Sequence, residues 1–131
     1  MSNQKMIKKN FFSLSVAILI MYLSLSGTEK LEPSFFSKIP HFDKIAHFLM
    51  YFGFMSVIIF ENRKTLKTTG KLLLSAIVPF LFGLLMEILQ VYITLNRSGD
   101  FYDALFNLMG ILFSVFIYKS FIYKFTELHF K

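Results

Sequence analysis

The chain has 131 residues, no cysteine and a net charge of +6; 55% of it is hydrophobic, 18 residues are Phe, and mean hydropathy is +0.58. A soluble domain this small has too high a surface-to-volume ratio to hide so much apolar surface, and without cysteine neither a disulfide framework nor thiol chemistry is open to it. The basic residues sit between apolar runs and form no patch with interleaved aromatics, which argues for membrane topology and against a nucleic-acid partner.

Four apolar runs follow one another: Phe11 to Gly27, Ile45 to Phe60, Leu72 to Leu95, and Phe101 to Tyr118. None shows the strict alternation of a membrane barrel, so the expected fold is all-α, a single membrane domain over 1–131 with four transmembrane helices. The first run is short for a span at roughly 1.5 Å per residue. It also has a second reading as a signal peptide, because Lys5, Lys8 and Lys9 precede it and Ser24 and Ser26 supply small residues near its end. Pro79 lies inside the third run, where a proline removes one backbone hydrogen bond and often bends the helix.

Orientation is read from Lys and Arg in the short connections. The N-terminal tail carries Lys5, Lys8 and Lys9, the loop after the second run Arg63, Lys64, Lys67 and Lys71, and the C-terminal end Lys119, Lys124 and Lys131. These three segments fall on one side of a four-span arrangement. Both termini are therefore expected in the cytoplasm, with the chain a multi-pass membrane protein. The other side receives the loop from Thr28 to Lys44 and the short loop Asn96 to Asp100.

The polar residues inside the apolar runs are not scattered. At about 100° per residue, Gly83, Glu87, Gln90 and Thr94 share one face of the third helix, and Asp103, Asn107, Gly110 and Ser114 one face of the fourth. Asp43, His47 and Tyr51 follow at i, i+4, i+8 on the second, with Lys44 beside Asp43. His47 and Asn107 are expected roughly 6 Å below the outer surface and Glu87 about 13 Å below Asn96. All of them then lie in the outer half of the bilayer, above an almost purely apolar inner half, so no through-going polar channel is expected. A charge near mid-span costs about 2.5–3.5 kcal/mol on insertion scales. Glu87 must therefore be protonated, paired or wetted, with His47, Arg97 and Asn107 as its expected partners. The plain alternative is helix glue: interhelical hydrogen bonds average about 0.6 kcal/mol. On that alternative Asp43, Asp100 and Asp103 merely cap helices, and Lys44 merely snorkels to the interface.

In order, the segments D-K-x-x-H at Asp43–His47, E-x-x-Q at Glu87–Gln90, and R-x5-D-x3-N-x2-G from Arg97 through Asp103 and Asn107 to Gly110 resemble the VanZ-like family of small bacterial membrane proteins. The resemblance covers about Asp43 to Gly110, with no departure at the motif positions. It implies a role in the cell envelope, the family being named for a member that raises resistance to the glycopeptide teicoplanin, and it implies no reaction.

Three functions follow. The first is binding of a membrane lipid or a lipid-linked cell-wall precursor by Asp43, Lys44, His47, Tyr51, Glu87, Gln90, Arg97, Asp103 and Asn107, with Arg97 suited to phosphate oxygens. The second is an intramembrane enzyme with His47, Glu87 and Asp103 as acid–base groups; no Ser-His-Asp or HExxH spacing names a reaction. The third is a noncatalytic partner of another membrane protein. No cofactor and no metal site is assigned, although His47, Glu87 and Asp103 with Asn107 have donor types that could hold a divalent cation. The sequence does not specify an oligomeric state.

Overall fold

The structure is a computed structural model, described over residues 2–26, 40–93 and 101–125. Five α-helices occur in chain order: α1 (Asn3–Lys9), α2 (Phe11–Leu25), α3 (Phe42–Asn62), α4 (Thr69–Ile93) and α5 (Phe101–Ile117), the last continuing into a π-helical turn, Tyr118–Tyr123. No strand occurs among the described residues. The chain is thus an all-α membrane protein. Three helices are long and apolar enough to cross a membrane alone, and α1 with α2 makes a fourth if the bent pair counts as one span. α3 and α4 begin three residues ahead of their expected starts at Ile45 and Leu72; Thr94 and Leu95 lie outside the described residues.

The first span is where local chemistry reshapes the expectation. The chain bends by 74° between α1 and α2. The hinge is Asn10, a residue type that favours helix starts because its side chain competes for backbone hydrogen bonds. Its Nδ2 donates to Met6 O at 3.3 Å and its Oδ1 accepts from Asn62 Nδ2 at 3.2 Å. α2 has no cap from its own sequence. Glu61, at the end of α3, supplies one instead. Its carboxylate accepts from the Phe12 N–H at 2.7 Å, the Ser13 N–H at 3.1 Å and the Ser13 hydroxyl. An anion here satisfies two of the four unpaired N–H groups and meets the positive end of the helix dipole.

Pro79 does not interrupt α4, which runs unbroken through it for 25 residues. Its ring is buried against the neighbouring helices, the setting in which a membrane helix tolerates a missing backbone bond.

α3 and α5 run parallel and form the most extensive pairing in the bundle. Small residues permit it. Gly110 brings α5 onto the backbone of α3 at Phe48 and Phe52. One turn deeper the Ser114 hydroxyl donates to Ser56 Oγ at 2.8 Å, while the Ser56 hydroxyl donates to Phe52 O at 2.7 Å. This is the close-approach chemistry that holds helices together in lipid, where apolar surface alone gives little drive for association. Phe48, Phe52 and Phe113 flank the contact. α4 and α2 pack across the opposite side, closing an apolar core of Tyr51, Phe54, Met55, Ile58, Ile111 and Val115 with Ile20, Leu72 and Ala76. The outward faces carry Leu49, Leu74, Val78, Leu81, Ile88 and Phe116, large apolar side chains left exposed as lipid contact requires.

Candidate functional site

The polar stripes of α3, α4 and α5 meet at the end of the bundle where α3 and α5 begin and α4 ends. His47 projects from the second turn of α3, Asn107 from the second turn of α5, Asp103 from its first turn, and Glu87 from the last two turns of α4. All four are at most 8% exposed. The Nδ1–H of His47 donates to Asn107 Oδ1 at 3.0 Å. The same nitrogen stands 3.8 Å from Glu87 Oε1, and the Nε2 on the other side of the ring stands 3.7 Å from Asp103 Oδ2. The imidazole is therefore held between two carboxylates carried by two different helices. One ligand atom from each of His47, Glu87 and Asp103 can be chosen so that all lie within 4.8 Å of one another.

Around this centre the remaining predicted residues divide. Lys44, 17% exposed at its side chain, reaches Asp103 Oδ1 at 3.8 Å and Asp43 at 3.4 Å, so it lies at the mouth of the cluster. Asp43 is on the exposed surface of the first turn of α3. Tyr51, 1% exposed, packs its ring where α4 narrows at Gly83, beside Asn107 Nδ2. Gln90 points elsewhere: it is buried against α2, and its Nε2 donates to Ser24 O at 2.9 Å. Arg97, with Asp100, lies outside the described residues.

The family model of VanZ/LLP1 matches residues 2–123. The chain belongs to the VanZ/LLP1 family. No curated protein and no solved structure matches it. The D-K-x-x-H, E-x-x-Q and D-x3-N segments of this VanZ/LLP1 chain are the segments that converge in the cluster, and the glycine that closes the last of them, Gly110, sets how closely α3 and α5 approach.

The opposite end is not purely apolar, as the sequence had suggested. Asn10, Ser13, Glu61 and Asn62 form a second polar group there, possible because each sits at or near a helix terminus and answers unpaired backbone groups. A cavity of about 590 Å³ opens beside them between α2, α3 and α4, running from Asn10 and Asn62 past Leu14 and Ala17 to Phe54 and Phe82. Sequence reading missed these residues. The available signals were Asn10 directly ahead of an apolar run and Glu61 as the one acid beside a basic loop. Between the two polar ends lie Met55 and Ile111, both 0% exposed, and apart from the Ser56–Ser114 pair the packing there is apolar.

Chemically, the cluster offers an imidazole with a neighbour at each ring nitrogen, two carboxylates, one amide and a lysine at the rim. Such a set can move a proton, hold a cation, or present a polar recognition surface to a group reaching down from the membrane interface.

Proposed function

We propose that this VanZ/LLP1 protein acts in the cell envelope by binding the polar headgroup of a membrane lipid or of a lipid-linked wall precursor, and that it contributes in this way to tolerance of teicoplanin-type glycopeptides. The observation that supports the reading is the one-sidedness of the cluster. His47, Glu87, Asp103 and Asn107 are grouped at one end of the bundle with Lys44 at the rim, and an apolar core lies beneath them. A transport path needs polar groups through the full thickness of the bilayer, whereas a headgroup site needs them at one depth only. Positive-inside counting puts this end at the outer face of a bacterial cytoplasmic membrane, where headgroups and lipid-linked wall intermediates are within reach. Lys44 gives the rim the charge that phosphate oxygens favour.

The test is direct. Purified protein in nanodiscs is titrated with a polyprenyl pyrophosphate and with phosphatidylglycerol, and a strain lacking the gene is assayed for teicoplanin tolerance with and without complementation. Saturable binding by the wild-type protein that Glu87→Gln loses, together with restored tolerance, supports the reading. Equal partition of both lipids into wild-type and variant discs overturns it.

A second reading has its own observation. An imidazole between two carboxylates on separate helices is also an acid–base arrangement, so an intramembrane enzyme acting on a lipid or envelope substrate is the alternative. Release of a labelled fragment from the same lipids separates catalysis from binding.

A further inference from the structure

We infer that the His47–Glu87–Asp103 cluster is a binding site for a single first-row divalent metal ion, of the Zn²⁺ or Mn²⁺ class. Three observations carry it. The first is spacing. Asp103 Oδ2 is 3.7 Å from His47 Nε2, and Glu87 Oε1 is 3.8 Å from His47 Nδ1. Both gaps are too long for a proton to be shared across them as a hydrogen bond. The Asp103 gap is close to the ligand–ligand separation of about 3.4 Å that follows from metal bonds of roughly 2.1 Å in tetrahedral geometry, and one donor atom from each of His47, Glu87 and Asp103 lies within 4.8 Å of the others.

The second is the tautomer. Asn107 Oδ1 can only accept, so the 3.0 Å contact commits the proton of His47 to Nδ1. Nε2, on the side of Asp103, is the ring nitrogen that this bond leaves open to a ligand. Donation of the other ring N–H to a fixed acceptor is the arrangement that orients a metal-binding imidazole.

The third observation is independent of the acids. The Nδ2 of Asn107 and the hydroxyl of Tyr51 have no hydrogen-bond partner among the described residues, although their residues are 2% and 1% exposed. Both side chains converge beside Gly83, one turn of α4 before Glu87. Two buried donors on neighbouring side chains suit an oxygen ligand, such as water held on a cation.

The donor types narrow the ion. Imidazole disfavours Mg²⁺ and Ca²⁺, which take oxygen ligands, and two carboxylates with no thiolate disfavour soft ions such as Cu⁺. A divalent charge also suits a buried site that carries two carboxylates. The inference does not depend on the lipid reading, because it concerns the protein and the ion only.

The experiment uses full-length, tag-free protein in detergent. It is stripped with chelator, dialysed, and loaded separately with Zn²⁺, Mn²⁺, Mg²⁺ or Ca²⁺. Metal content is measured by mass spectrometry and melting by circular dichroism. The expected result is one Zn²⁺ or Mn²⁺ per chain and a melting temperature that rises with its concentration, with no comparable effect of Mg²⁺ or Ca²⁺. Glu87→Gln and Asp103→Asn lose stoichiometric metal. Asn107→Ala, which removes the acceptor that orients the imidazole, weakens binding about 10- to 100-fold. Glu61→Gln, at the other end of the bundle, retains it. Wild-type protein that takes up no metal and shows no metal-dependent melting overturns the inference, whether or not the variants fold. Uptake equal in wild type, Glu87→Gln and Asp103→Asn overturns it too, as adventitious surface binding.

Discussion

Gly110 on α5 lies directly against the carbonyl oxygen of Phe48 on α3, so closely that a Cβ at this position would collide with the backbone of the facing helix. A flexible side chain could move aside, but a main-chain carbonyl inside a helix cannot. Gly110→Ala is therefore expected to push α3 and α5 apart and destabilise the bundle by about 1–3 kcal/mol, the usual range for overpacking. Gly53→Ala is the matched control. Nothing lies within 4 Å of a Cβ there, and removing a helical glycine is expected to be neutral or to stabilise by up to about 1 kcal/mol. Unfolding in mixed detergent micelles compares the two. Equal stability of Gly110→Ala and wild type would show that the α3–α5 contact is looser than the geometry requires.

Glu61 joins the end of α3 to the start of α2 through three hydrogen bonds. Glu61→Gln keeps one acceptor oxygen and loses the charge and the second acceptor. The expected loss is about 0.5–2 kcal/mol, from the helix-dipole term and one charged hydrogen bond. Because the damage is local, the sharper readout is deuterium exchange: amides at Phe12 and Ser13 exchange faster in the variant while those of α3 and α5 around Gly110 do not change. Unaltered exchange at Phe12 and Ser13 would remove Glu61 from the role of cap.

These two contacts mark what the sequence does and does not disclose. Stripes at spacings of three and four are fixed by helix geometry alone, so the meeting of His47, Glu87, Asp103 and Asn107 could be anticipated before any tertiary contact was known. Gln90 shares the stripe with Glu87 yet serves α2 through Ser24, because a stripe specifies a direction and not which neighbouring helix fills it. Lys44 is ambiguous for a similar reason: a snorkelling lysine and a lysine at the mouth of an acidic site have the same sequence signature. Glu61 could not be found by periodicity at all. Its partners are 48 and 49 residues away, and it works because α2 starts beside the end of α3, a fact of packing. Asn10 stands directly ahead of an apolar run, but the 74° turn it permits depends on Asn62 holding it from another helix.

The basic segments predict that both termini are cytoplasmic. Ten Lys and Arg residues lie in the N-terminal tail, the 63–71 segment and the C-terminal end, and such residues are retained on the cytoplasmic side. The bend at Asn10 adds a detail: α1, with Lys8 and Lys9 in its last turn and Met6 and Ile7 exposed, is expected to lie along the inner interface while α2 enters the bilayer. Reporter fusions at the two ends, and labelling of single cysteines placed at Lys5 and Lys8, check both parts. An exterior C-terminal reporter would overturn the four-span arrangement, and protection of Lys5 and Lys8 from aqueous reagent would place α1 within the membrane.

Glu87 decides between a site and helix glue. If the cluster only joins helices, Glu87→Gln should be harmless or stabilising, since Gln preserves size and hydrogen bonding and removes a charge from a place where it is costly. If the cluster binds a ligand, the same change removes function while the bundle persists. The geometry favours the second outcome: Glu87 Oε1 stands 3.8 Å from His47 Nδ1, outside hydrogen-bond range, whereas Asn107 already satisfies that nitrogen at 3.0 Å. Glu87→Gln thus leaves the His47–Asn107 bond in place. Arg97→Lys is the companion, since Lys keeps the charge and loses the planar fork that grips phosphate oxygens in pairs. Both variants are expected to reach wild-type levels in membranes with unchanged helix content, and both are expected to fail to restore teicoplanin tolerance in a strain lacking the gene. Full restoration by Glu87→Gln would make the carboxylate a structural group, and full restoration by Arg97→Lys would reduce the requirement at position 97 to positive charge.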